Sequence, residues 1–399
     1  MKKILTWAKD NWVKVFLYIL SLSVIVFVSI YNLESITSSK LSLQEIGSLE
    51  SAKTISGIIN NPLYAPFKIV EYLVINMATG SIYLLRLVAA LYGIATVILF
   101  YFLSKYWFSP LIAWLSTMMF ATGTLYLHHS RLAVTSILVP LLLLAILWAT
   151  WYTNKAKNSN VSIIIFIAIL SISLYVPGII WFILLALFLQ KRHLLAGLRN
   201  SSWIFLTLSI LLGLIFILPL LYAFYVNSSL ILDWLALPNN FNVKEIIKNI
   251  IRVPMALTIQ SQPDPIFNLG RLPIIDILTL ALMVLGSYAY GIRLKLMRTR
   301  TLILASIISW LLIAFNKIDY AILLPFIYLL AAGGIMFLLQ QWYSVFPKNP
   351  IARSSGLLLV IIVISISIFY NIDRYFVAWQ HNPATVESFN HPVPTNLVQ

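Results

Sequence analysis

The sequence predicts an all-α protein, a polytopic membrane helical bundle with about 11 transmembrane helices. Three observations carry this. Of the 399 residues, 61% are hydrophobic and only 10% charged, against about 25% charged in soluble domains. The apolar residues fall in blocks close to the roughly 20 residues that cross a hydrocarbon core. The charge is lopsided, with 27 Lys+Arg against 12 Asp+Glu and a net charge of +15, and much of the basic charge sits in short connections, as the positive-inside rule requires. A soluble enzyme and a disordered chain are excluded. The positive charge reads as membrane orientation, with no nucleic acid as partner. With no cysteine, disulfides and thiolate metal sites are excluded.

The first apolar block, Trp12–Ile30, follows Lys2, Lys3 and Lys9. No small-residue cleavage site follows it, so it reads as an uncleaved span. Further blocks occupy 82–104, 110–127, 132–151, 161–175, 178–189, 203–225, 273–290, 302–315, 320–339 and 355–370. The pieces 161–175 and 178–189 flank Val176 and Pro177. Read as a tight pair rather than one broken element, they place Lys155 and Lys157 on the same face as Lys191 and Arg192. With the N-terminus cytoplasmic, most Lys and Arg lie inside and the C-terminus lies outside. Residues 1–371 then form the membrane domain, and 372–399 a short extracytoplasmic tail. Its end, 382–399, carries Pro383, Pro392 and Pro394 and reads as flexible.

Two outer segments, 31–81 and 226–272, are too long for turns, and such connections are usually functional or disordered. In the first, 42–59 reads as a modestly amphipathic helix and 66–77 as another, with Pro62 and Pro66 between them. Both are expected to lie at the membrane surface.

The candidate chemistry is sparse. Glu45 and Glu50 lie five apart on the first surface helix, so they do not share a face. Each reads either as a solvated charge or, for a carboxylate partly desolvated at the membrane edge, as a general base. Between two spans lies Leu127-His128-His129-Ser130-Arg131. An arginine there either clamps a phosphate through its fork of donors or touches lipid head groups. His128 and His129 can donate to the same group or move protons; adjacent histidines do not share a helical face, so a metal site is weak. Arg86 sits inside an apolar block, where a charge needs a partner or must snorkel. Glu45, Glu50 and Glu71 are the available acids. In the second segment, Asp264 and Arg271 flank a proline-rich stretch with Gly270, and Asp264 reads as a turn cap or a site acid. Lys317 and Asp319 form another charged turn. Aromatic residues make up 14%, much of it expected at the membrane interfaces.

Taken in order, these residues resemble the GT-C class of integral-membrane glycosyltransferases, in particular the dolichyl/polyprenyl-phosphate-mannose protein mannosyltransferase-like branch (glycosyltransferase family 39-like). The stretch Leu43-Gln44-Glu45-Ile46-Gly47-Ser48-Leu49-Glu50-Ser51-Ala52 is similar to that family's outer loop with its acidic pair. Asn61-Pro62-Leu63-Tyr64-Ala65-Pro66 and Leu85-Arg86-Leu87 resemble the next segment, Ser130-Arg131 its Ser-Arg motif, and Asp264-Pro265 through Arg271-Leu272-Pro273 its late outer loop. The resemblance implies transfer of a sugar from a polyprenyl-phosphate donor to an unknown acceptor hydroxyl at the outer face of the cell membrane. It implies Glu45, Arg131 and Asp264 as catalytic residues, and Arg86, His128, His129, Glu50 and Arg271 as substrate-binding ones. No cofactor is expected, and the sparse acids give a divalent metal little support. Two departures stand out. Gln44 occupies the position of the family's catalytic aspartate, and an amide is no base. Thr135 and Ser136 stand where an acid often follows the Ser-Arg pair. A catalytically degenerate lipid-binding or scaffold protein is therefore a second reading, and a lipid or lipid-linked-sugar transporter a third.

Overall fold

The computed structural model describes residues 12–37, 40–77, 81–155, 159–199 and 201–392. Among them the regular structure is helical, apart from one isolated antiparallel bridge between Leu41 and His391. The apolar blocks become α1 (Trp12–Ile30), α5 (Ile82–Trp107), a bent pair α6 (Pro110–Thr122) and α7 (Thr124–Arg131), α8 (Leu138–Lys155), α9 (Ser159–Ser173), α10 (Ile179–Arg199), α11 (Trp203–Val226), α14 (Ile277–Gly291), α15 (Met297–Ala314), α16 (Leu324–Val345) and α17 (Pro350–Asp373). Six of these helices, some with an adjoining 3-10 or π turn, are long and apolar enough to cross a membrane. The α6–α7 pair, bent by 61°, makes a seventh, and four shorter apolar helices complete the set. The protein is a multi-pass helical membrane protein.

Hydrogen bonds between connections reveal how the chain alternates. Ala133 after α7 donates to Glu45 in the first segment. Tyr64 N donates to Tyr175 O after α9, and Gly178 N to Trp234 O after α11. Lys317 after α15 pairs with Asp233, and Trp379 after α17 donates to Pro265 O. The connections after the odd-numbered apolar elements therefore gather on one face, here the loop-bearing face. At the other, Arg298 in the first turn of α15 donates to Trp107 O at the end of α5. Eleven crossings give this pattern, with the chain entering and leaving on opposite faces.

The first segment holds α2 (Leu43–Ala52), α3 (Ile55–Asn60) and α4 (Ala65–Met77). The single helix expected over 42–59 is two, because Thr54 breaks it. Its extended backbone and its side chain, accepting from Gly57 N, start a new helix. Ser42 caps α2 in a reciprocal box with Glu45. The second segment holds α12 (Leu230–Trp234) and α13 (Val243–Thr258).

The tail differs from the flexible segment expected over 382–399. A π-helical turn, Arg374–Trp379, and α18 (Pro383–Ser388) carry the chain back over the loop-bearing face. Trp379 and Phe389 are fully buried, and Lys40 Nζ donates to Asn390 Oδ1 at 2.7 Å. Two large aromatics in a polar stretch supply the apolar burial that composition alone hid. Residues 393–399 lie outside the described residues.

The helices α14 and α16 cross closely through glycine. A Cβ on Gly286 would stand 1.8 Å from Leu330 O, and one on Gly334 2.1 Å from Leu282 O. Small residues at such crossings let backbones approach inside a bilayer. Gly286→Ala is expected to lower stability by about 1–3 kcal/mol, because the obstructing atom is backbone. Gly291→Ala, with nothing within 4 Å, is the control. Thermal unfolding in detergent, which should separate the two, is the check; equal melting temperatures would contradict the crossing.

Candidate functional site

The first segment is latched to the bundle by buried charge. Arg86, on α5, is fully buried. Its Nε donates to Glu45 Oε1 at 2.8 Å and its Nη2 to Glu45 Oε2 at 3.2 Å. Nη1 reaches Leu33 O and Nη2 Lys40 O, at 2.8 and 2.9 Å. Glu45 also accepts from Ser42 N, Ser42 Oγ and Ala133 N. Of the three acids available to Arg86, Glu45 is the one it takes. A carboxylate offers about four lone-pair positions, and these five donors engage both oxygens. The geometry is that of a structural clamp closed away from solvent.

Arg131 lies in a second buried cluster. Its Nη1 donates to Val28 O at 2.5 Å and its Nη2 to Tyr31 O. These are carbonyls at the C-terminal end of α1, where a cation is favoured. The guanidinium rests over Phe376 and Tyr375, 4.5 and 5.2 Å from their centroids. His128 packs edge-on to Trp379, centroids 4.5 Å apart, and neither of its ring nitrogens finds a partner among the described residues. His129 instead stacks on Phe267 at 4.5 Å, with Nδ1 2.7 Å from Ser136 Oγ.

Two polar cavities open beside these clusters. One, of about 400 Å³, is lined by His129, Arg252, Asp264, Asn268, Lys317 and Asp319, among others. The second, of about 450 Å³, is lined by Gln44, Tyr64, Lys68, Ser136, Lys317 and Asp319, among others. Lys317 and Asp319 belong to both, so the cavities adjoin. Against the second lies a groove of about 560 Å³ with an almost wholly apolar lining, including Ile58, Pro62, Ala65, Ile69, Tyr175 and Phe216. Helix α4 builds this junction by its periodicity: Lys68 faces the polar cavity, while Ala65, Ile69 and Leu73 face the groove. Tyr64, at φ 62°, turns the chain there. A bulky residue in left-handed backbone stores strain of the kind found at functional sites.

The structure thus brings His129 and Asp264 into one cavity and places Gln44, Thr135 and Ser136 in the other. Glu45 and Arg86 meet in the latch, Arg131 and His128 lie in the aromatic cluster, and Glu50 and Arg271 are exposed on the surface, outside both cavities. Sequence reasoning noted Asp319 as a turn charge and did not count it among the site residues. Its carboxylate makes no side-chain hydrogen bond as helix cap, and the residue is exposed where it lines both cavities. Burial raises its pKa above the usual carboxylate value, with the neighbouring Asp264 adding to the effect. Asp264 is itself raised by burial, against backbone donors from Ile266 and Phe267. The one signal available was an Asp beside a Lys in a short turn. Glu71 was also passed over as a group in its own right. It is fully buried on α4 and accepts from Ser48 Oγ at 3.0 Å. Burial pushes its carboxyl up to about 8, and pulls the Lys68 ammonium down to about 8. Among the described residues no three His, Asp or Glu converge to hold a metal ion.

Fold and site together define a multi-pass helical membrane protein with polar cavities on its loop-bearing face. Among solved structures the chain is similar to ArnT from Cupriavidus metallidurans in its apo state, at a TM-score of 0.50 and 12% identity, covering 96% of this chain and 75% of that one. At that identity the likeness carries the fold alone. No protein-family model and no curated protein matches the sequence.

The latch and Glu71 make two predictions. Arg86→Met leaves Glu45 charged, buried and unpaired, and should cost about 3–5 kcal/mol, with the loop 31–81 opening to protease. The double variant Arg86→Met/Glu45→Leu should recover part of that loss; equal or greater loss would contradict the pairing. Glu71 is held protonated in the fold, so its contribution is harmless below its unfolded value of 4.5 and becomes a penalty as pH rises from 4.5 towards 8. Stability should fall across that window by something on the order of 4 kcal/mol. Glu71→Gln, which keeps the neutral shape, should flatten that part of the melting-temperature profile, whereas an unchanged slope would assign it elsewhere.

Proposed function

We propose that the protein is a membrane glycosyltransferase that moves a sugar from a polyprenyl-phosphate donor to an acceptor hydroxyl. The observation that carries this reading is an apolar groove and a polar cavity that lie side by side, lined by interleaved residues of Asn61–Lys68. Their shape is that of an amphiphile with a long hydrocarbon chain and a charged, hydrated head. The GT-C fold shared with ArnT supports it. The donor chain lies in the groove, with its phosphate beside Lys68 and Lys317. The acceptor oxygen attacks the anomeric carbon as the bond from that carbon to the phosphate oxygen breaks. The polyprenyl phosphate leaves with the electron pair, and Asp319 takes the acceptor's proton. An accessible carboxylate that lines both cavities, with Asp264 nearby to raise its proton affinity, suits a general base. The cations act by holding the charge that gathers on the departing phosphate. Glu45, Arg86 and Arg131 hold the loops that form this space.

The orientation follows from the basic residues: the loop-bearing face is extracytoplasmic and the N-terminus cytoplasmic. Because the chain has no cysteine, Ser228→Cys and Lys295→Cys test it directly. An impermeant thiol reagent on intact cells should label the first and not the second; the reverse result would invert the topology.

A second reading, a lipid-binding protein without transfer, is favoured by Gln44 lying in the cavity where the similar family carries its aspartate. One pair of variants separates the two. Asp319→Asn should keep donor binding and lose about 10²–10⁴-fold in transfer. Lys68→Ala should weaken binding of a polyprenyl-phosphate sugar by roughly 10- to 150-fold. Full transfer by Asp319→Asn removes it as the base. A parent protein that binds donor and releases no sugar, to acceptor or water, establishes the second reading.

A further inference from the structure

Helix α13 carries a face that none of the described residues covers. Val243, Ile247, Ile251 and Met255 recur every fourth residue and are 66%, 54%, 57% and 44% exposed. Lys244, Lys248 and Arg252 form a parallel row one residue on, also exposed. The packed face is the opposite one, through Asn249, Val253 and Ala256. The single carboxylate on the helix, Glu245, lies in the first turn, where the helix dipole favours it.

The depth of α13 is fixed by its partners. Asn249 Nδ2 donates to Ala314 O at the end of α15, at 3.1 Å. Trp310 Nε1, on the last turn but one of α15, donates to Ile250 O at 2.9 Å. Ile274 N and Ile275 N, just before α14, donate to Ala256 O and Leu257 O. The helix is therefore tied to the ends of two membrane-crossing helices. An apolar row beside a basic row, at the level where spans end, is the pattern of a helix lying in the bilayer boundary.

We infer that α13 is an interfacial helix that binds anionic phospholipid. Val243, Ile247 and Ile251 enter the acyl boundary, and Lys244 and Lys248 hold head-group phosphates. The opposite side of the helix supplies Asn249 and Val253, together with Arg252, to the cavity that holds Asp264 and Asp319. Bound lipid thus fixes one wall of that cavity. The inference needs only the fold and stands whether or not the protein transfers sugar.

The test uses the full-length protein in nanodiscs, with single cysteines at Ile247→Cys, Ile251→Cys and Glu245→Cys labelled by an environment-sensitive fluorophore. Phospholipids with a nitroxide on the acyl chain are the probe. Quenching at 247 and 251 should exceed that at 245 by roughly twofold or more, the apolar face lying about 5–10 Å into the boundary. Nitroxide phosphatidylglycerol should outcompete nitroxide phosphatidylcholine at 247. Lys244→Gln/Lys248→Gln should reduce that preference by roughly 20- to 30-fold, each lysine near an anionic surface contributing roughly fivefold. Equal quenching at 245 and 247 overturns the inference, as does a 247 probe shielded from lipid by a second copy or another protein. Equal preference for the two lipids overturns the head-group assignment.

Discussion

The guanidinium of Arg86 is the interaction on which the loop-bearing face depends. It lies within an apolar helix, where an unpaired charge is costly, and it gathers Leu33 O, Lys40 O and both oxygens of Glu45. Three parts of one long connection are thereby fixed to one residue of α5. Glu45 passes the constraint on, to Ala133 at the start of the α7–α8 connection and to the cap of α2. The ring of Phe389 closes over the same guanidinium at 5.9 Å, so the returning tail is held by it too. A buried pair adds little net stability over an apolar equivalent. What it supplies here is register: the loop has one place to sit, and α4 is set between groove and cavity as a consequence.

Helix α4 then divides two environments. Its groove side continues onto α9 and α11 through Ile172 and Phe216, and α11 is largely exposed apolar surface, as a lipid-facing helix must be. Its cavity side carries Lys68 and, deeper, Glu71, both with proton affinities displaced by burial. Lys68 spends one donor on Asn61 O, leaving two for a ligand. An amphiphile bound across this helix would meet apolar carbon and charge within one turn.

Much of the fold was legible because bilayer physics writes it in long apolar blocks. The eleven blocks and the pairing of 161–175 with 178–189 follow from length, proline and charge. The break at Thr54 was not seen, because a cap needs the local backbone to reveal itself. Neither was the folded tail, since Trp379 and Phe389 are two apolar residues among polar ones, and only tertiary contact shows them buried. The candidate site was legible in part. Arg86 demanded a buried acid, and Glu45 was among those named. Asp264 was named from its loop and lies in a cavity wall. Asp319 was noted only as a turn charge, because its distinction is the space around it, shared by segments more than 200 residues apart. Arg131 shows the converse: its motif drew notice, and its donors go to the end of α1 and its face to Phe376.

The central claim is that groove and cavity form one binding site for a lipid-linked phosphate. The most direct measurement is a cryo-EM map of the full chain in nanodiscs with a non-hydrolysable polyprenyl-phosphate sugar analogue. The account predicts hydrocarbon density along Ile58, Pro62, Ile69 and Phe216, with the phosphate between Lys68 and Lys317 and the sugar beside Asp319. Analogue density seated elsewhere, or an empty groove at saturating analogue, would contradict it.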